Sequence, residues 1–235
     1  EGVKEFQKNN IPHLKHIDKS SKATFYVCKM QLSYLAGNFN ETLAAAKNGQ
    51  PFMGALLGFM ASAEYNFYYS LAITAKYKEM SQGDRRRYRR ILKNNMRQLK
   101  KWSEACKENF MHKYLLVAAE AAHLQNKNQI AMLLYDKAIK SAQENGYIQI
   151  AALANELAAK FYLSQGLDKI AKTYMSDACN GYNKWGAYAK ARELMEHYPE
   201  LLEGIEYEAQ MYNTAVAAES ILKISSLSDN ETAGA

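Results

Sequence analysis

The chain has 235 residues, 48% of them hydrophobic, with 12 Gly and 3 Pro. That is enough apolar material for one large domain or an elongated array, and too few breakers for a fold of many short strands. The net charge of +6 is uneven: Asp84 to Lys101 holds nine Lys and Arg against one Asp, leaving 21 basic and 23 acidic residues elsewhere, which excludes a generally basic surface.

Apolar spacing predicts helices almost throughout. The first runs from Lys22 to Ala36 and breaks at "GNFN"; the next, Asn40 to Lys47, ends at Asn48-Gly49 and Pro51. One long helix is expected from Phe52 to Met80, closed by "SQGD", with Asp84 capping a basic helix that reaches about Cys106. Further helices are expected over Lys113–Gln125, Gln129–Asn145, Ile148–Gln165, Asp168–Lys184 and Tyr188–His197, separated by "QNKN", "NGY" and "QGLD". A last one is read over Glu206–Ile224, before a small, polar tail.

Two of these stretches repeat. "LQNKNQIAMLLYDKAIKSA" aligns with "LSQGLDKIAKTYMSDACNG", pairing Asn126 with Gly166, Ala131 with Ala171, Tyr135 with Met175 and Ala138 with Ala178, each at an offset of 40. Small, large, small at these spacings is the second helix of a tetratricopeptide-type unit: the small residues lie where it presses on the first helix, and the large one fills the gap to the next unit. The usual period is about 34 residues, so the helices here are longer than standard. The expected fold is all-α, a right-handed solenoid of antiparallel helix pairs over 20–204. A lead-in segment precedes it over 1–19; a helix or linker over 205–224 and a disordered tail over 225–235 follow. The alternative is a single irregular helical bundle.

"AEYNFYYSLAI", "ENFMHKYLLVAAEAA", "LYDKAIKSAQENGYIQIAALANELAAKFYLSQG" and "WGAYAKARELMEHYPEL" follow one another between Ala63 and Leu201. In that order they resemble the helical-repeat region of very large bacterial and fungal-type signalling proteins, over roughly Ser20 to Leu202. Those proteins carry a Ser/Thr-kinase-like domain and a STAND-class ATPase before the repeats, and a GAF domain and often a histidine kinase after them. The resemblance implies an interaction and regulatory module rather than a catalytic part. It also implies that Trp185 and Tyr198 pack the end of the array. The arginine-rich helix departs from the family, whose equivalent segment is richer in Gln and Glu.

Chemistry is sparse. There is no Gly-x-x-x-x-Gly-Lys-Ser/Thr loop, Gly-x-Gly-x-x-Gly turn, Gly-x-Ser-x-Gly elbow or kinase catalytic loop, so neither familiar mode of ATP binding is expected. No catalytic residue, cofactor or metal site is assigned. His13-x-x-His16 lacks a third ligand at metal spacing, and His112 and His123 read as structural. Cys28, Cys106 and Cys179 are far apart and odd in number, which disfavours a disulfide framework or a zinc site and fits a reduced, cytoplasmic setting. No apolar run reaches transmembrane length and no signal peptide opens the chain; its first residue, Glu, suggests a piece of something longer.

Two binding surfaces are candidates. A groove lined by the first helix of each pair would present Lys113, Glu120 and His123 from one unit, and Glu156 and Lys160 from the next, as charged anchors for a protein or peptide. The Lys/Asn set that clamps a terminal carboxylate in chaperone-binding repeats is absent in phase. On the basic helix, Arg86, Arg90, Lys93, Arg97 and Lys100 form one stripe opposite Tyr88, Leu92, Leu99 and Trp102. Such a helix could bind nucleic acid, anionic lipid or an acidic protein face. The expected function is protein–protein interaction within a multidomain signalling kinase, relaying between ATPase and sensor or kinase domains, with other domains of the same chain among the partners. Nucleic-acid binding through residues 85–101 is the alternative.

Overall fold

The computed structural model describes residues 18–203, all of them helix, turn or irregular chain. His13, His16, the helix expected over Glu206–Ile224 and the tail lie outside the described residues. The chain divides into two compact units between Ala154 and Asn155, each taken here by itself.

The first unit opens with α1 (Lys19–Leu35), capped by Asp18, whose carboxylate accepts from the amides of Ser20 at 2.8 Å and Ser21 at 3.0 Å. Helix α2 (Phe39–Gly49) follows. The single long helix expected from Phe52 does not form. Residues Gln50–Leu56 make 3-10 turns started by Pro51, Gly58 takes φ +88°, and α3 begins only at Met60, running to Lys76. Pro51 and Gly58 are the cause: proline suits a first turn, and glycine readily takes the left-handed region that stops a helix.

The basic helix α4 (Gln82–Ala105) is capped by Ser81 rather than Asp84. The Ser81 hydroxyl accepts from the Asp84 amide at 3.1 Å and donates to the Asp84 carboxylate at 2.7 Å, so Asp84 sits in the first turn as the acidic member of a capping pair. Helix α5 spans Lys107–Leu124 and starts six residues before the expected Lys113. One extended residue, Cys106 (φ −148°, ψ 95°), separates it from α4; neither Gly nor Pro marks that break. Helices α6 (Asn128–Glu144) and α7 (Ile148–Ser164) follow, and α7 carries the chain into the second unit. There α8 (Asp168–Trp185), α9 (Tyr188–His197) and the single turn α10 (Pro199–Leu202) complete the described chain.

One turn recurs. Gly37, Asn126, Gly146, Gly166 and Gly186 all have φ between +56° and +86°. In each case the amide of that residue bonds the carbonyl three back, and the next amide bonds the carbonyl five back, as Gly166 to Leu163 and Leu167 to Tyr162. This is the Schellman helix ending. The last four turns stand 20 residues apart, so the 40-residue repeat read from the second helices is two identical helix-plus-turn steps.

Ala131, Tyr135 and Ala138 on α6 are fully buried, and so are Ala171, Met175 and Ala178 on α8; the phase of the sequence alignment is the phase of the packing. Tyr65, Tyr68 and Tyr69 are buried on α3, and the Tyr65 hydroxyl donates to the Ala46 carbonyl at 2.8 Å, so this Tyr-rich stretch is core. At the end of α8 the buried aromatic is Tyr182, whereas Trp185 is 39% exposed. Trp185, the last residue of α8, does not pack the end as expected.

Leucine at Ala131 or Ala171 has no space to enter. Each substitution is expected to cost about 1–3 kcal/mol from overpacking, measured by urea denaturation; one neutral and one severe result would break the equivalence of the two helices. An added Cβ at Gly146 or Gly166 meets no atom within 4 Å, so only the backbone resists it. Gly146→Ala and Gly166→Ala are each expected to cost about 1–2 kcal/mol, and Asn126→Gly to stabilise; a destabilising Asn126→Gly would refute the shared turn.

Candidate functional site

The sequence-predicted anchors divide by burial. Lys113 on α5 is fully buried. Its ammonium lies 3.2 Å from the Glu64 carboxylate, 3.1 Å from His112 Nε2, and over the Tyr147 ring at 4.8 Å. Burial lowers its pKa, and the Glu64 carboxylate opposes that shift. An ammonium without such partners would be too costly to bury. Lys113 is therefore an internal tie between α3 and α5, and not an anchor open to a ligand. Glu120 is half-buried and accepts from the Tyr135 hydroxyl at 2.5 Å. His123 is half-buried, and burial together with the nearby charge of Lys78 lowers its pKa.

In the second unit Glu156 and Lys160, one turn apart on α7, meet directly at 2.5 Å. Glu156 is buried, 3% exposed, and also holds Lys190 at 3.2 Å and the Tyr182 hydroxyl at 2.7 Å. Burial works against its charge, but the two ammonium groups and the hydrogen bonds from Lys160 and Tyr182 outweigh it, keeping the carboxyl below its usual range. The same carboxylate, against the cost of burial, raises the pKa of Lys160. Glu156 is closed to a partner as well; it ties α7 to α8 and α9. Lys160 stays half-buried at the edge of this network.

Glu64, Tyr182 and Lys190 were not among the sequence-predicted residues. Glu64 carried one signal, an acid within the otherwise apolar and aromatic run "AEYNFYYS". Lys190 lies 34 positions from Glu156, and no local pattern links them.

The basic helix is different. Arg86, Arg90, Lys93, Arg97 and Lys100 are all exposed, while Leu92 and Leu99 are buried and Tyr88 and Trp102 half-buried, so α4 packs by its apolar stripe and turns its cations to solvent. Arg85, Arg87, Arg89 and Lys101 are exposed too. Two concavities border this helix. A cavity of about 450 Å³ lies between α4 and α5, with Arg89, Lys93, Arg97 and Lys100 beside Met96 and Tyr114. A cavity of about 580 Å³ is lined by Leu57, Phe59, Met60, Trp102 and Phe110 together with the polar Ser62, Asn66 and Gln98. Among the described residues no three His, Cys, Asp or Glu side chains come close enough to hold a metal ion, and no helix is long and apolar enough to cross a membrane.

Among the described residues, consecutive helices with small residues at their crossings and one turn repeated at 20-residue steps from Asn126 onward define the tetratricopeptide class of repeat. The family described as CHK1-like, TPR repeats matches residues 4–172, and the chain belongs to that family. A hybrid signal transduction histidine kinase, G, of Dictyostelium discoideum is 34% identical over 113 residues, which are 48% of this chain and 3% of that protein. The chain thus spans only a small fraction of that relative's length. No solved structure matches the chain significantly.

His112 gives this core a pH dependence. It is fully buried against Lys113 and stacks on Tyr147 at 4.2 Å; burial first, and the Lys113 charge second, push its pKa from 6.5 to about 3. The unfolded chain takes up the proton near pH 6.5 while the folded one does not, so stability falls as pH drops below that value, by at most about 1.4 kcal/mol per pH unit. His112→Phe is expected to remove this contribution between about pH 6.5 and 5, leaving the smaller slope from His123, measured as denaturation midpoint against pH. An unchanged slope would show that His112 is protonated in the folded state.

Proposed function

We propose that the chain is a non-catalytic interaction module of a multidomain signalling kinase, and that it relays between ATPase and sensor or kinase domains of the same polypeptide. The observation that carries the reading is the family match over residues 4–172, a repeat of protein-interaction type. The stretch shared with a hybrid histidine kinase supports the signalling context. The chemistry of the core agrees with a non-catalytic role. Lys113 and Glu156, whose burial would suit a perturbed catalytic acid or base, are each held by charged neighbours inside the packing. A partner meets instead the exposed cations of α4 and the concavities beside it.

Nucleic-acid binding is the competing reading, favoured by the nine exposed cations of α4. Cross-linking mass spectrometry on the protein expressed from its natural locus separates the two. Cross-links from lysines of residues 18–203 to an ATPase, kinase or sensor domain of the same polypeptide are expected. Cross-links confined to unrelated proteins would overturn the relay, and turnover of ATP by this segment, abolished by one point substitution in it, would overturn the non-catalytic reading.

A further inference from the structure

The concavity between α4 and α5 joins a cationic wall to a largely apolar floor. One wall is cationic: Arg89, Lys93, Arg97 and Lys100 follow one another at spacings of four, four and three along α4. The floor and far wall are mostly apolar or aromatic, from Leu92 and Met96 on α4 and Tyr114 and Ala121 on α5, with Gln125, just past the end of α5, as their polar member. Tyr114 and Ala121, seven residues apart, lie on one face of α5. The four cations have few internal anions. Lys100 meets Glu104 at 3.8 Å with both side chains exposed, an arrangement worth little in water. Arg97 reaches only the Asn94 amide oxygen at 3.4 Å and Arg89 only the Tyr77 hydroxyl at 3.1 Å. Lys93 and Arg97 have no carboxylate within ion-pair distance among the described residues.

We infer that this groove binds an acidic amphipathic helix, with apolar side chains on the Leu92–Met96–Tyr114–Ala121 floor and carboxylates along the Arg89–Lys93–Arg97–Lys100 wall. Eleven residues of α4 separate Arg89 from Lys100, about 16 Å at the helical rise, which matches three turns of a partner helix carrying Asp or Glu on one edge. The cavity of about 450 Å³ has room for several aliphatic side chains. Aliphatic stems of the Arg and Lys residues extend the apolar floor while their heads stay in water. Burial of the apolar face would supply affinity, and the charged wall register and association rate. A nucleic-acid backbone would meet the wall alone and leave the floor in water; the floor is what favours a protein partner.

The inference rests on the interaction reading above and deepens it by naming the partner's chemistry. The test uses the whole chain and a synthetic helical peptide of roughly 16 residues, about 24 Å long and so a turn or more longer than the basic wall, with Leu at three- and four-residue spacing on one face and Glu along its edge. Fluorescence anisotropy is read at ~150 mM salt, where exposed charges more than about 8 Å apart are screened. Binding is expected, with at least a ~10-fold loss for the Lys93→Glu/Arg97→Glu protein, for a scrambled peptide, and for a peptide with Ala in place of Leu. Because both substituted residues are exposed, the variant should melt like the parent; if it does not fold, Lys93→Gln/Arg97→Gln is read in the same way.

No binding of the peptide, equal affinity for the scrambled peptide, or indifference to both paired substitutions overturns the inference. So does a roughly 20-bp DNA duplex that binds tightly at the same salt, with the log–log salt slope near −0.9 per phosphate neutralised. The two proposals fail separately. Domain cross-links without peptide binding remove the groove assignment alone; peptide binding without domain cross-links removes the relay alone.

Discussion

A left-handed residue at five of the helix ends organises the regular part of the architecture. At Gly37, Asn126, Gly146, Gly166 and Gly186 the chain takes positive φ, and two backbone hydrogen bonds close the helix behind it. The following residue already serves as the N-cap of the next helix at Asn38, Lys127, Leu167 and Ala187, with φ between −103° and −85° and ψ between 54° and 64°. With only that short connection, successive helices lie antiparallel and close together. Close packing then demands small residues at the crossings, which is why Ala131 and Ala171 have no exposed surface. The 20-residue step therefore fixes both helix length and the phase of the alanines.

Where that rhythm is absent the chain behaves differently. Between α2 and α5 there is no such turn except at Gly58, which ends no α-helix. Instead, 3-10 turns start and end α3, and α4 is the longest helix described, bounded by Ser81 and the extended Cys106. This irregular stretch contains the basic helix and borders both concavities. The departures from the repeat supply the basic helix and the two concavities beside it.

The buried charges belong to the frame. Lys113 meets Glu64 from a neighbouring helix, and Glu156 gathers Lys160, Lys190 and Tyr182. The Lys113–Glu64 pair and the contacts of Glu156 with Lys190 and Tyr182 join different helices, and removing Glu64 would leave the Lys113 ammonium buried without its counter-charge, a far larger cost than the net gain from the pair. Such ties penalise misregistered packing of otherwise similar alanine-rich helices. The charges inside are matched, whereas the nine cations of α4 face solvent.

Much of this was legible in the sequence. Breakers such as Gly146 and Gly166, together with the 40-residue offset of Ala131 and Ala171, specify the helices, the repeat and the buried faces, because helix periodicity and turn preference are local properties. The amphipathic division of α4, with Leu92 and Leu99 inward and Arg86 to Lys100 outward, was equally local. The break at Cys106 had no local signal, and Ser81 competed with Asp84 for one cap, which only the hydrogen bonds decide. Lys113 and Glu156 read as surface anchors because burial of a charge depends on a partner far away in the chain: Glu64 is 49 positions from Lys113, and Lys190 is 34 from Glu156. Local sequence determines which side a helix would bury. Only tertiary structure decides which charges are matched within that burial, because the compensating charge arrives from another helix.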